Sequence, residues 1–411
     1  MSAKSDGRMK RWQEQRWILD AVIGTVGVEW DQPRIAYMSA PAAPQSVPEF
    51  RATAARIKRV SDFAREFSNA ARRREQKAKV FEETGRGVAA RESYLTASLL
   101  WATARWPIFE KTEMLEELEI RMNHCYEKFS EHSAHPVQIV KIPFEGKELP
   151  AYLHLPHKPS EGEKFPCVIN IPGMDSSKEN GVSMYGDAYL ERGCAVLTID
   201  GPGQAESVTL GIFVTETNHM DAARVTHDWL CRHPAIDTDN ICVRGTSFGS
   251  FWGLQWAAAL GDKIKGVTVT GVCHEPGCNT IFNMASPSFK LRYMFMADYD
   301  DEAEFDAFAE TLDLRPLVVD IKCPVLIIAG EEDQLSPLEC SYDLFDRIKS
   351  SKEILVYEGS NHSVTDGLSI ALGENPRVYS ADWVLDRMNG IAAASVKSWI
   401  NSQGIRSETP V

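Results

Sequence analysis

Five consecutive residues constrain this chain more than any other feature. Gly245, Thr246, Ser247, Phe248 and Gly249 stand between a strand-like run at 241–244 and an apolar, helix-forming run at 251–260. A serine with small residues two places before and two places after it, where a strand becomes a helix, marks a turn too tight for side chains on its flanks. Such a turn lifts the hydroxyl clear of the strand end and sets it at a helix N-terminus. The pattern is short and gains its weight from the strand and helix around it. It predicts strands that feed helices, and so a mostly parallel sheet covered on both faces.

The rest of the chain fits that expectation in two parts. Residues 48–133 are written in helical periods: Leu115, Leu118, Met122, Cys125 and Phe129 recur at steps of three and four, one apolar stripe of a helix. The segment 88–106 is apolar round more than one face, which predicts burial on several sides, and Pro107 ends it. The first 47 residues, with Trp12, Trp17 and Trp30 and a closing loop rich in Ala and Pro, are expected to form a docked irregular arm. After His135, short β-branched runs alternate with helices at 137–142, 151–155, 167–171, 195–199, 241–244, 266–272, 325–329 and 354–357. The expectation is therefore an α/β fold with an eight-stranded, mostly parallel sheet. Residues 1–135 are expected to form an N-terminal arm and helical domain, and residues 136–411 the domain that carries the sheet and Ser247. Within it, 273–321 carries Phe282, Met284, Phe289, Tyr293, Met294, Phe295 and Met296 and is expected to form a helical lid over a pocket.

A serine hydroxyl is a weak nucleophile at neutral pH, so a base must take its proton and an acid must orient that base. Both follow Ser247 in chain order. The run 325–329 leads into Gly330, Glu331, Glu332 and Asp333; Asp333 is preferred as the acid over the two glutamates because the fourth position of G-x-x-D-x-x-x-P follows the strand end. The run 354–357 leads into Asn361 and His362, which places an imidazole after the last expected strand. Of the other imidazoles, His274 could line the lid, and His124, His132, His135, His154, His157, His219, His227 and His233 are expected at the surface or on helices. An oxyanion needs preorganised donors. The N–H of Phe248, at its helix N-terminus, is one; the other is expected from the turn Pro172, Gly173, Met174, Asp175, at the N–H of Met174. The turn from Asp200 to Gln204 is expected to be structural.

Composition narrows the partners. A net charge of −14 argues against nucleic acid and anionic membrane surfaces, and the basic run from Arg72 to Lys79 is interleaved with glutamates as a solvated helix face would be. Nine cysteines without a repeated spacing suit a reducing cytoplasm better than a disulfide framework. Cys273, His274 and Cys278 lack the second ligand pair of a closed zinc site, so neither metal nor cofactor is expected. No stretch reaches the roughly 18 apolar residues of a membrane span, and the N-terminus has no signal-like apolar core.

Taken together, the motifs resemble a branch of the α/β-hydrolase fold. The segment from Ile171 through Asp175 to Glu179, the turn Ile199 to Gln204, the elbow, Gly330 to Asp333, Asn361-His362, Asn375-Pro376-Arg377 and Ala381-Asp382-Trp383 are similar to the family of 2,6-dihydropseudooxynicotine hydrolase and the fungal polyketide chain-shortening hydrolases. The resemblance runs from about Ser93 toward the C-terminus. It implies a working triad of Ser247, Asp333 and His362, hydrolysis of a carbon–carbon bond beside a ketone or of an ester in a polyketide or aromatic metabolite, no cofactor, a catalytic domain at 136–411, and a helical cap and dimerisation domain at 1–135 whose helices form part of the cap and a dimer contact. It also marks Asp175, which stands where the nicotine-pathway enzyme has a functionally important glutamate; here Pro172 replaces that motif's first glycine. A structural Asp175 capping the following helix is the alternative reading. An acyltransferase or ring-forming condensation catalyst on the same site, and a non-catalytic binding module, are the alternatives for function.

Overall fold

The computed structural model describes the backbone of residues 10–411 and side chains from residue 15 onward. The first nine residues of the expected arm and the side chain of Trp12 lie outside the described residues. What is described of the arm is more regular than expected: helices Lys10–Val26 and Arg34–Ser39 precede the Ala- and Pro-rich loop. Helices Val47–Ala54, Asp62–Glu83, Gly87–Arg105 and Glu113–Glu131 follow. The Thr112 hydroxyl caps the last of these by accepting from the Leu115 N–H at 3.2 Å, and its stripe from Leu115 to Phe129 is buried. Truncating a buried residue such as Met122 to Ala would cost about 2–5 kcal/mol. The helix Gly87–Arg105 is buried on several faces. Phe50, Phe63, Phe67, Tyr94, Trp101 and Met122 share one apolar cluster with Tyr152, which belongs to the sheet.

The sheet has ten strands instead of eight. In chain order they are β1 Val137–Phe144, β2 Lys147–His154, β3 Phe165–Ile171, β4 Ala195–Ile199, β5 Ile236–Ser247, β6 Gly266–Val272, β7 Val325–Gly330, β8 Lys352–Tyr357, β9 Val396–Ile400 and β10 Arg406–Pro410. Their spatial order is β1-β2-β4-β3-β5-β6-β7-β8-β9-β10. β3 through β9 run parallel, while β2 is antiparallel to β4 and β10 is antiparallel to β9. The two unforeseen strands close the C-terminal edge. β10 is exposed along most of its length and ends in Pro410, so it carries no apolar run that a strand search would notice.

Between β6 and β7 the segment 273–321 is largely helical, as expected, with helices Pro287–Met296 and Glu302–Ala309. Most of its apolar residues pack inward: Phe282, Tyr293 and Phe305 form an aromatic cluster with Phe248 and Trp252 from the helix that follows the elbow. Met284 is exposed. No helix among the described residues is long and apolar enough to cross a membrane.

Candidate active site

The elbow forms at the end of β5, and its strain is explicit. Ser247 has φ +56° and ψ −127°, a backbone conformation that an L-residue holds only when its surroundings impose it. Those surroundings are close: a Cβ at Gly249 would come 2.2 Å from the carbonyl oxygen of Ile171, and one at Gly173 would come 2.8 Å from Cβ of Ser247. Glycine at both positions lets the end of β3 pass against the elbow. Phe248 opens the helix Phe248–Leu260, so its N–H stands beside Ser247 at a helix N-terminus.

From Ser247 a hydrogen-bonded line runs across the ends of three strands. The Oγ of Ser247 is 2.9 Å from Nε2 of His362. Nδ1 of the same ring lies 2.9 and 3.1 Å from the two oxygens of Asp333. The Asp333 carboxylate is held in turn by the N–H groups of Leu335 and Ser336, at 2.8 and 3.0 Å, and both Asp333 and His362 are buried. Glu331 and Glu332 are exposed, and the Glu331 carboxylate accepts from the Gly359 N–H. The line faces a cavity of about 680 Å³, whose wall includes Ser247, His362, Gly173, Met174, Asp175, Ile281 and Phe289. Of the segment 273–321, Ile281 and Phe289 reach this cavity; the residues in the aromatic cluster do not line it.

Asp175 is not a helix cap. The short helix after it, Lys178–Asn180, is capped by Ser177. Asp175 instead accepts from Nη1 of Arg34 at 3.3 Å. Arg34 is fully buried, stacked on Trp106 with its guanidinium carbon 3.8 Å from the ring centre, and it bridges both oxygens of Asp31 at 2.7 Å and the hydroxyl of Tyr37 at 3.0 Å. Desolvation works against the Arg34 charge, but Asp31, Tyr37 and Asp175 outweigh it and hold its pKa above the ordinary value. Burial first, and then the Asp175 charge, push Asp31 upward, toward the neutral acid, against the pull of Arg34; the contact of Nη2 with both carboxylate oxygens is that of an ion pair, and we assign it as one. Arg292, inside the helix Pro287–Met296, donates to the carbonyl oxygens of Met174 and Trp106 at 3.2 and 3.3 Å, and desolvation, then the Arg105 charge, lower its pKa to about 10. Sequence reasoning missed both arginines. Arg292 carried one signal, a cation within the apolar run from Phe289 to Met296; Arg34 carried none.

Other expectations find their places away from the cavity. The Asp200 turn is a brace: Asp200 is buried and accepts from the N–H and Nζ of Lys178, while Gln204 donates to the Pro172 carbonyl at 2.7 Å. His274 points its Nδ1 at Ser341, 3.1 Å away, and does not line the cavity; Cys273 and Cys278 are buried near it. His154 lies on a strand instead of at the surface or on a helix, fully buried between Tyr126 and His135.

An elbow serine on a mostly parallel sheet, facing a cavity from the strand ends, defines an α/β-hydrolase. A family described as Esterase FrsA-like matches residues 27–342, and the chain belongs to it. It is 27% identical over 327 residues to 2,6-dihydropseudooxynicotine hydrolase of Paenarthrobacter nicotinovorans, a match that covers 79% of this chain and 85% of that protein. It is 26% identical over 335 residues to the alpha/beta hydrolase psoB of Aspergillus fumigatus, covering 67% and 73%. The crystal structure of the 2,6-dihydroxy-pseudo-oxynicotine hydrolase superposes with a TM-score of 0.73 at 22% identity, over 88% of this chain and 97% of that one.

Proposed function

We propose that the chain is a serine hydrolase that cleaves the carbon–carbon bond of a β-diketone, or an ester, in a polyketide or aromatic secondary metabolite, with Ser247, His362 and Asp333 as its triad. The observation that carries this reading is the continuous line from Asp333 through His362 to Ser247, open to the cavity. Nε2 of His362 takes the proton as Oγ of Ser247 attacks the carbonyl carbon, and Asp333 stabilises the imidazolium through Nδ1–H. The N–H groups of Phe248 and Met174 receive the oxyanion. When the tetrahedral adduct collapses, the bond to the leaving group breaks with its electron pair. An enolate departs from a β-diketone, its second carbonyl taking the electrons, or an alkoxide departs from an ester; His362 returns the proton to it. Water, deprotonated by His362, then attacks the acyl-serine, releasing a carboxylic acid and restoring Ser247.

Asp175 favours the carbon–carbon branch. It lines the cavity and is oriented by Arg34, and the similarity to 2,6-dihydropseudooxynicotine hydrolase points the same way. Intact mass after treatment with a fluorophosphonate tests the nucleophile: one adduct is expected on the wild type and none on Ser247→Ala. A folded wild type as unreactive as the variant would sink the proposal.

A further inference from the structure

Two guanidinium groups line the same cavity without a carboxylate within ion-pair distance. Arg244 and Arg377 both reach its wall, and neither has an ion-pair partner among the described residues. The acidic and basic neighbours are otherwise engaged or at the rim. Asp175 is held by Arg34 at 3.3 Å, and Arg192 by Asp382 at 2.6 Å. The oxygens of Asp187 accept from the N–H groups of Ser183, Tyr189 and Leu190 at 3.3, 3.0 and 3.1 Å. Glu191 also borders the cavity and is exposed to solvent. Asp187 and Glu191 bring negative charge to the same wall without pairing with either arginine, so most of the guanidinium N–H groups remain available to a ligand.

Their placement is built. Arg244 lies on β5 three residues before Ser247, about 10 Å along the strand at roughly 3.3 Å per residue. Its cross-strand neighbour Asn170 accepts from Nη1 at 2.7 Å and so aims the guanidinium. Thr246, next on the same face of the strand, also lines the cavity, and its hydroxyl is buried without a hydrogen-bond partner in the protein. Arg377 enters from the first turn of the helix Pro376–Met388, whose N-cap is Asn375. It is exposed to solvent, yet desolvation by the wall and then the Arg244 charge lower its pKa against the opposing pull of Asp187. An oxyanion between the two would relieve their repulsion and meet donors of the planar, forked kind that hold carboxylates.

We propose that Arg244 and Arg377 form a subsite for a carboxylate carried by the substrate at a distance from the bond that is cut, so that the enzyme selects acid-bearing ketones or esters over neutral ones. The position of the scissile bond rests on the serine-hydrolase reading above; the anion subsite does not.

The test compares 4-nitrophenyl hemiesters of adipate and suberate with the same esters whose distal carboxyl is a methyl ester. The wild type is expected to favour the free acids by at least roughly tenfold in kcat/KM, mainly through KM. That ratio should fall to about one in Arg377→Gln and in Arg244→Gln, and recover in part in Arg377→Lys. A wild-type ratio near one overturns the subsite. Calorimetry with adipate alone reads binding without turnover: measurable affinity in the wild type, weakened in Arg377→Gln, is expected, and no binding at millimolar adipate also overturns it. Fluorophosphonate labelling of the same preparations separates the two ideas. Labelled protein with no acid preference loses the subsite and keeps the hydrolase; unlabelled protein that binds adipate does the reverse.

Discussion

Two walls of the cavity differ in origin. One is made by the ends of β5, β7 and β8, and each member of the proposed triad sits where a parallel strand releases its chain: Ser247, then Asp333, then His362. The other is made by the N-terminal segment, where Gln32, Pro33, Ala36 and Tyr37 face the cavity and Arg34 stands behind, gripping Asp175 from 141 residues away. The two touch at the His362 loop, where the Ser363 hydroxyl donates to Gln32 at 3.2 Å. In the first wall, backbone geometry places the groups. In the second, a buried charge network does. Under the proposed function the difference would separate general carbonyl chemistry from the fit of one substrate class, and it can be broken by experiment.

The largest effect belongs to the strand-end wall. Asp333→Asn and Ser247→Ala should each lower kcat by roughly 10⁴-fold or more on every substrate tested, esters and ketones alike. A loss confined to one substrate class would mean that the strand-end wall is not the general one.

A second effect strikes both walls at once. His219, stacked on Trp252 beneath the elbow helix, and His274, behind the Asp333 loop, are fully buried, and desolvation lowers the pKa of each to about 3. Burial lowers His154 as well, between the helical layer and β2. The unfolded chain takes up these protons near pH 6.5 while the folded chain does not, so the unfolded state binds more protons below that pH. The stabilisation is complete above about pH 6.5 and is lost as the pH falls toward 3, by on the order of 1 kcal/mol per pH unit for each imidazole. Urea midpoints at pH 7.5 and 5.5 measure it. An unchanged midpoint would show that the buried rings charge within the fold.

The substrate-side wall is tested by Asp175→Asn. It should cost more than about tenfold in turnover of a β-diketone, some 1.4 kcal/mol of barrier, while sparing a simple nitrophenyl ester. Equal loss on both substrates would merge the two walls into one catalytic unit, and no loss on either would remove Asp175 from the chemistry.

This division also explains what could be read before the fold was seen. Ser247, Asp333 and His362 were legible because each stands at a fixed offset from a strand-like run, and a strand end is a local pattern. β10 was not legible, because an edge strand of Arg, Ser, Glu, Thr and Pro has no apolar face to betray it. Arg34 was not, because its meaning lies in Asp31, Trp106 and Asp175 together, and only the fold brings them to one place. The capping alternative for Asp175 failed on a local rival: Ser177, two residues on, takes that role. His154 shows the same limit, since nothing adjacent in sequence announces that Tyr126 and His135 enclose it.

The smallest expected effect is the one that tests the choice of acid. Glu331 and Glu332 precede Asp333 and differ from it by one methylene, so the assignment rests on where each carboxylate is held. Oε2 of Glu331 accepts from the Gly359 N–H at 2.9 Å, which braces the loop leading to His362, and the Glu332 N–H donates to the Ser360 carbonyl, also at 2.9 Å. The carboxylate hydrogen-bonded to the imidazole is that of Asp333. Glu331→Gln keeps an acceptor for Gly359 and removes only an exposed charge, so stability should move by no more than about 0.5 kcal/mol and kcat by less than roughly twofold. Glu332→Gln should do less still, since its contact is made by the backbone. A loss in Glu331→Gln comparable with that of Asp333→Asn would mean that the loop rearranges in solution to offer a different carboxylate. The clean ordering of the strand-end wall would then not survive.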